Sequence, residues 1–234
     1  MGKLMLLILV MYILVFGLIS LNLFIEFKLS NYRHASKQTF LQIFFNKGSW
    51  GEYKIYTILE GIKGEKQLLT NLYLPKKDGS TTEIDLVMIT KAGFFVIESK
   101  NYGGWIFGNE ASRYWTQSFP NKKKGKFLNP IWQNKGHIKA LQEILCITDE
   151  SLIHSIIVFS NKCELKKITV KSSNVKVIKR NRLKHTLKKR FVDTNPKLSS
   201  EEIKRYAQAL KHFVHADEET KLLHNERIKE KLSR

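Results

Sequence analysis

Thr81-Thr82-Glu83-Ile84-Asp85-Leu86-Val87-Met88-Ile89-Thr90-Lys91-Ala92-Gly93-Phe94-Phe95-Val96-Ile97-Glu98-Ser99-Lys100 is the stretch that decides the fold. Glu83 to Thr90 and Gly93 to Lys100 are rich in β-branched and aromatic residues, and Lys91-Ala92 is short enough to be a two-residue turn between two antiparallel strands. Both runs are almost continuously apolar, which predicts a sheet covered on both faces. A hairpin closed at Lys91-Ala92 pairs Thr90 with Gly93, and counting back sets Asp85 opposite Glu98. Side chains in such a pair lie about 4.5 to 5.5 Å apart. Alternate residues of a strand share a face, so Glu98 and Lys100 project together.

Working outward, Asn71 to Leu74 reads as a preceding strand closed by Pro75, with Lys77-Asp78-Gly79-Ser80 as the turn. Upstream, Ile55, Ile58 and Leu59 recur at helical spacing, predicting a helix over Trp50 to Leu59 that Gly61 and Gly64 end. Downstream, Asn129 can cap a helix whose first position is Pro130 and whose apolar face is Ile131, Ile138, Leu141 and Leu145. Ser155 to Phe159 follows as a buried strand. The order is helix, three-strand antiparallel meander, helix, strand, which is an α/β domain with a mixed sheet. Beyond it, Val175 to Ile178 is strand-like, and Ser199 or Ser200 starts a helix with Glu202 placed for a capping box. Glu218 to Arg234 is charged and reads as a frayed helix or tail.

Leu4 to Ile25 is apolar except for Ser20 and Asn22, and at about 1.5 Å per residue these 22 positions cover the roughly 30 Å hydrocarbon layer. A cleavable signal would have a shorter apolar run ending in small residues, whereas here Leu, Asn, Phe and Ile follow. The expectation is a retained single-pass anchor. Lys28, Arg33 and Lys37 follow the span and only Lys3 precedes it, so the positive-inside tendency places the body in the cytoplasm. Unpaired Cys146 and Cys163, without metal-ligand spacing, suit that compartment. Residues 26–47 read as a juxtamembrane linker, with Phe40 to Phe45 either a short interfacial helix or packing onto the domain.

The chain carries 40 Lys and Arg against 21 Asp and Glu, a net charge of +19, which points to polyanionic partners such as nucleic acid or acidic lipid. With 43% hydrophobic residues, disorder of the bulk is excluded. Against this basic background Asp85 and Glu98 stand out. Adjacent carboxylates repel unless a cation or a shared proton intervenes, and a hard ion such as Mg²⁺ takes oxygen ligands while retaining waters. A metal there could activate water against a phosphodiester, with Lys100 orienting the water or the phosphate. The bland alternative is a solvated face with a cross-strand ion pair.

Gly51-Glu52, Glu83-Ile84-Asp85, Gly93-Phe94-Phe95-Val96-Ile97-Glu98-Ser99-Lys100-Asn101-Tyr102-x-Gly104, Trp115-Thr116-Gln117 and Asn129-Pro130-x-x-Gln133, in that order, resemble the nuclease-related domain, NERD. The match covers about residues 48 to 160. The resemblance implies a restriction-endonuclease-like core and a metal-dependent nuclease using Mg²⁺ or Mn²⁺ and acting on nucleic acid, with DNA the expected substrate. It further implies Asp85 and Glu98 as metal ligands, the Ser99 carbonyl as a further one, Lys100 as the catalytic lysine, Glu52 as an additional acid and Gln133 as the family's glutamine on the second helix. The chain then divides into an anchor (1–25), a linker (26–47), a nuclease-like domain (48–165) and a basic, partly helical C-terminal extension (166–234).

Other residues have more than one reading. His137 lies one turn beyond Gln133 and could approach the same phosphate or serve only packing. Lys122, Lys123, Lys124 and Lys126 sit in a loop that could grip a nucleic-acid backbone or be merely solvated. The tryptophans Trp105, Trp115 and Trp132 are expected in the core, with base stacking as the alternative. The basic run from Lys179 to Arg190 suits DNA or the inner leaflet equally.

Overall fold

The computed structural model describes residues 2–192 and 196–214, together with positions 220, 222 and 226. Most of the charged tail read at Glu218 to Arg234 therefore lies outside the described residues. The element order is α1 (Gly2–Leu29), α2 (Tyr32–Ser36), α3 (Phe40–Phe45), α4 (Lys47–Glu60), β1 (Lys66–Pro75), β2 (Thr81–Thr90), β3 (Gly93–Lys100), β4 (Gly104–Asn109), β5 (Tyr114–Ser118), β6 (Lys124–Leu128), α5 (Pro130–Leu145), β7 (Ile153–Phe159), β8 (Cys163–Thr169), β9 (Val175–Lys179), α6 (Leu183–Val192) and α7 (Ser200–Lys211).

The main sheet runs β1-β2-β3-β7-β9, with β1, β2 and β3 antiparallel and β7 and β9 parallel to β3. This is the α/β, mixed-sheet, restriction-endonuclease-like core, preceded by one apolar helix. The hairpin turn is where expected, with Thr90 paired to Gly93. Gly93 holds φ 114°, and a Cβ there would sit 2.2 Å from the Leu152 carbonyl oxygen, so no other residue fits. One face of the sheet is covered by α4, whose Tyr53, Ile55, Tyr56 and Leu59 pack on Leu86, Met88, Phe95 and Ile97. The other face is covered by α5 and α7, through Ala140, Leu141, Ile203, Ala207 and Leu210. Asn129 caps α5 by accepting from the Ile131 N–H, and the Ser199–Glu202 capping box opens α7 as its sequence predicts.

Strict alternation fails at one point. Leu69 and Leu72 lie in the same core layer although three apart, and so do Ile84 and Val87. Both strands therefore switch face between these pairs, at Asn71 and Asp85. Asn71 takes a left-handed φ of 54°, which an Asn side chain tolerates, and the Cα pairing skips the Asn71–Asp85 step.

A second sheet, β6-β5-β4-β8, was not read from the sequence. It turns the expected lysine loop into the β5–β6 hairpin, with Lys124 and Lys126 on β6 and Lys122 and Lys123 in its turn. Trp115 is buried in it, whereas Trp105 (37% exposed) and Trp132 (47% exposed) are not core residues, correcting that expectation. They have polar or cationic neighbours instead: Trp132 Nε1 donates to the Glu110 carbonyl oxygen at 2.7 Å, and Lys166 Nζ lies over the face of the Trp105 ring, 5.8 Å from its centre.

Residues 30–46 are packed against the body. Tyr32 and Ile43 are fully buried beside Phe27, Tyr53 and Tyr56, and Ser30 and Asn31 both donate to the Glu60 carboxylate. Residues 198–214 likewise pack on the core, because α7 covers β1 and β2 and Val214 bridges to Leu72.

Candidate active site

Past Leu86–Ile97 the β2–β3 Cα pairing stops, while β3 continues against β7 as far as Lys100. Asp85 stands in this fork. Its Oδ2 accepts from the Ser99 backbone N–H at 2.7 Å, so a carboxylate takes the place of the missing strand bond. The ladder therefore stops one pair short of the expected Asp85–Glu98 pair, and the Ser99 N–H bond is what holds Asp85 beside Glu98, whose charge it feels. Thr70 Oγ1 donates to the Asp85 carbonyl at 2.9 Å and fixes the backbone from the β1 side.

Glu98 is 4% exposed and engaged at both oxygens. Lys100 Nζ lies 2.7 Å from Oε1, and His137 Nε2 lies 3.0 Å from Oε2. The His137 Nδ1 is in turn 2.7 Å from Thr82 Oγ1. If the threonine hydroxyl donates to Nδ1, Nε2 carries the hydrogen that Glu98 accepts. His137 thus ties α5 to the carboxylate pair, a role that sequence reasoning left open. Its signal was the helical spacing from Asn129, which sets it on the sheet-facing side of α5. Gln133 shares that side and is half-buried, but it makes no side-chain hydrogen bond among the described residues.

Glu52 comes from α4. That helix can approach the end of β3 because residue 51 is glycine: a Cβ at Gly51 would sit 3.0 Å from both Ser99 Oγ and Asn101 Cβ. Asn101 Nδ2 also donates to the Lys47 carbonyl at 2.6 Å, tying the first turn of α4 to β3. The Tyr32 hydroxyl, from α2, lies 3.4 Å from Glu52 Oε2. A cleft of about 500 Å³ opens beside Glu52 and Glu83, walled on the far side by Ser36, Lys37, Gln38 and Gln42. Residues before Lys47 therefore wall the cleft on the Glu52 side, although Asp85, Glu98 and Lys100 do not line it, and no motif in the sequence had marked them.

The electrostatics follow from four acids and one ammonium in a covered place. Burial, then the charges of Glu98 and Glu52, holds the Asp85 carboxyl well above the usual carboxylate range, against the opposing Lys100 charge and Ser99 N–H. Burial, then Glu83, raises Glu52 to about 8, with the Tyr32 hydrogen bond acting the other way. For Glu98 burial is again the largest influence, but Lys100 and His137 outweigh it and the group stays below its ordinary value. Lys100 is held charged, because Glu98 and Asp85 overcome the effect of its burial.

This excess of negative charge fits a hard divalent ion. Among the described residues no three His, Cys, Asp or Glu side chains form a closed metal cage. Asp85, Glu98 and the Ser99 carbonyl are the oxygen groups here that could hold such an ion, which takes few protein ligands and keeps several waters.

A family model described as nuclease-related domain matches residues 47–160, a span that holds Glu52, Asp85, Glu98, Ser99, Lys100 and His137. An uncharacterized protein of Bacillus anthracis is 34% identical over 174 residues, which is 72% of this chain and 74% of that protein. No solved structure matches. With its motifs in order, its carboxylate pair and lysine in one fork of the sheet and a relative matched over most of its length, this chain belongs to the nuclease-related domain (NERD) family.

Proposed function

We propose that the protein is a membrane-anchored, Mg²⁺- or Mn²⁺-dependent nuclease that hydrolyses phosphodiester bonds in DNA from the cytoplasmic side of the membrane. The observation that carries this reading is the junction of Asp85, Glu98 and Lys100 in the β2–β3 fork, with Lys100 Nζ 2.7 Å from Glu98. Asp85, Glu98 and the Ser99 carbonyl would hold the ion, which when bound would lower the pKa of water and offset charge on the phosphoryl oxygens. Lys100 orients the attacking water and the phosphate. Glu52, the additional acid, holds its own proton near neutral pH and would take up the proton that the water gives up only after a bound ion has displaced it. His137 orients Glu98 and is a positioning residue. The anchor is α1, the one described helix long and apolar enough to cross a membrane.

The test is cleavage of linear, circular and single-stranded DNA, and of RNA, by the full chain in detergent with Mg²⁺, Mn²⁺ or chelator. Cutting should need the metal and fall at least about 100-fold in Asp85→Asn and in Lys100→Met. Alkaline extraction of membranes tests the anchor, which should resist it.

A second reading is favoured by one observation: both Glu98 oxygens are already satisfied by Lys100 and His137, as in a buried ion-pair network that needs no metal. In that case the basic domain binds nucleic acid without cutting it. A folded wild type that cleaves none of the substrates, yet binds them with a steep salt dependence, would establish it.

A further inference from the structure

A cavity of about 520 Å³ lies between the last turns of α1 and the α2–α3 pair, separate from the carboxylate cluster. Its apolar wall is Phe24, Phe27 and Phe40, with Phe24 and Phe40 ring centres 5.4 Å apart. Its rim is cationic: Lys28, Arg33 and Lys37 line it, and among the described residues none of the three pairs with a carboxylate. Unpaired cations around a preformed hole are the complement of an anion.

Depth selects which anion. Counted from Leu4 at about 1.5 Å per residue, the roughly 30 Å hydrocarbon layer ends near Phe24, and Lys28, one turn on, stands at headgroup level. Lys28 Nζ lies 5.4 Å from the Phe24 ring centre, so the cationic and apolar parts of the cavity are adjacent along the helix. The same end of the molecule exposes Leu29 (82%), Leu41 (64%) and Phe45 (78%), side chains that belong in the interfacial layer rather than in water. Phe27 is buried in the body, which fixes the cavity relative to the span.

We propose that the α1–α2–α3 cavity binds one anionic phospholipid, its headgroup phosphate among Lys28, Arg33 and Lys37 and its acyl chain along Phe24 and Phe40. This rests on the reading of α1 as a retained anchor and is independent of nuclease activity. A docked lipid would hold α2 and α3 against the body and so steady the far wall of the carboxylate cleft, with which the cavity shares Lys37 and Gln38.

The experiment is native mass spectrometry of the full chain released from nanodiscs of phosphatidylcholine containing phosphatidylglycerol. The wild type should retain one phosphatidylglycerol, undiminished by millimolar inorganic phosphate. Arg33→Glu/Lys37→Glu should weaken retention at least tenfold, while Lys122→Glu/Lys123→Glu, with the same charge change in the distant β5–β6 turn, should retain it as the wild type does. Equal loss in both double variants would mean diffuse charge attraction and overturn the site. Retention in neither the wild type nor the variants, or displacement by inorganic phosphate, overturns it too. Release of the chain from vesicles by alkaline carbonate would instead overturn the anchor and, with it, the lipid site. Melting temperature in lipid-free detergent controls for folding, and replacing the exposed Arg33 and Lys37 should leave it unchanged there.

Discussion

Glu98 receives Lys100 from its own strand and His137 from α5, and the two differ in what they would do to an ion. Lys100 competes with the ion for charge, whereas His137 orients the carboxylate and fixes which lone pairs remain for coordination. His137→Ala should therefore weaken Mn²⁺ binding about 10-fold, the usual loss for an outer partner of a ligand. Isothermal titration of the full chain measures it, and an unchanged affinity would remove His137 from the site. Glu52 makes a different prediction because its carboxyl is raised from 4.5 to about 8. Between these values the folded state binds the extra proton and the unfolded chain does not, so stability falls as pH rises. Without metal, the melting temperature should drop from pH 5 to pH 8, and Glu52→Gln should flatten that slope. Glu98 has the opposite sign, and its contribution is lost only as pH falls below the ordinary carboxylate range. A metal-free melting temperature that rises through neutrality would contradict the assignment of Glu52 as a buried, proton-retaining acid.

At the scale of elements, a single missing side chain lets α4 reach β3. Gly51→Ala would put a methyl group 3.0 Å from Ser99 Oγ and Asn101 Cβ, forcing the helix or the strand end to shift. Overpacking of this kind costs about 1–3 kcal/mol, or roughly 2–6 °C in melting temperature for a chain of this size. It should also depress cleavage more than stability, because the displaced helix carries Glu52. An activity loss no larger than the unfolded fraction would refute that. The main sheet was legible because its hairpin has an unambiguous turn at Lys91-Ala92 and its register follows by counting. The face switch at Asn71 and Asp85 was not, since period-two reading assumes an unbroken pleat and one left-handed Asn resets it. The second sheet was also hidden: Lys124-Gly125-Lys126 in β6 is a polar edge strand, stabilised by pairing with Tyr114–Ser118 rather than by an apolar pattern. Asp85, Glu98 and Lys100 could be placed from local strand geometry. Tyr32 and the Lys37–Gln38 wall could not, because they reach the cleft only through long-range packing.

The whole molecule does not divide where the family match begins. Residues 47–160 hold the motifs, yet Phe27, Tyr32 and Ile43 lie outside that span and are buried against Tyr53, Tyr56 and their neighbours on the face of α4. At about 1.5–3 kcal/mol for each fully buried large apolar side chain, their removal forfeits roughly 5–9 kcal/mol. The Ser30 and Asn31 bonds to Glu60 would be lost as well. Net stabilities of single domains are about 5–15 kcal/mol, so the loss is comparable to the whole. A chain starting at Lys47 should accordingly be unfolded or aggregated, whereas one starting at Glu26 should fold, because it keeps all three aromatic and aliphatic anchors while shedding the apolar span. Circular dichroism melts and limited proteolysis of the two fragments decide the matter. If the shorter fragment melts cooperatively within a few degrees of the longer one, helices α2 and α3 are accessories to the fold. If it does not, the segment after the apolar helix is a structural part of the nuclease-related domain, and the cleft beside Glu52 and Glu83 is complete only in a chain that still carries it.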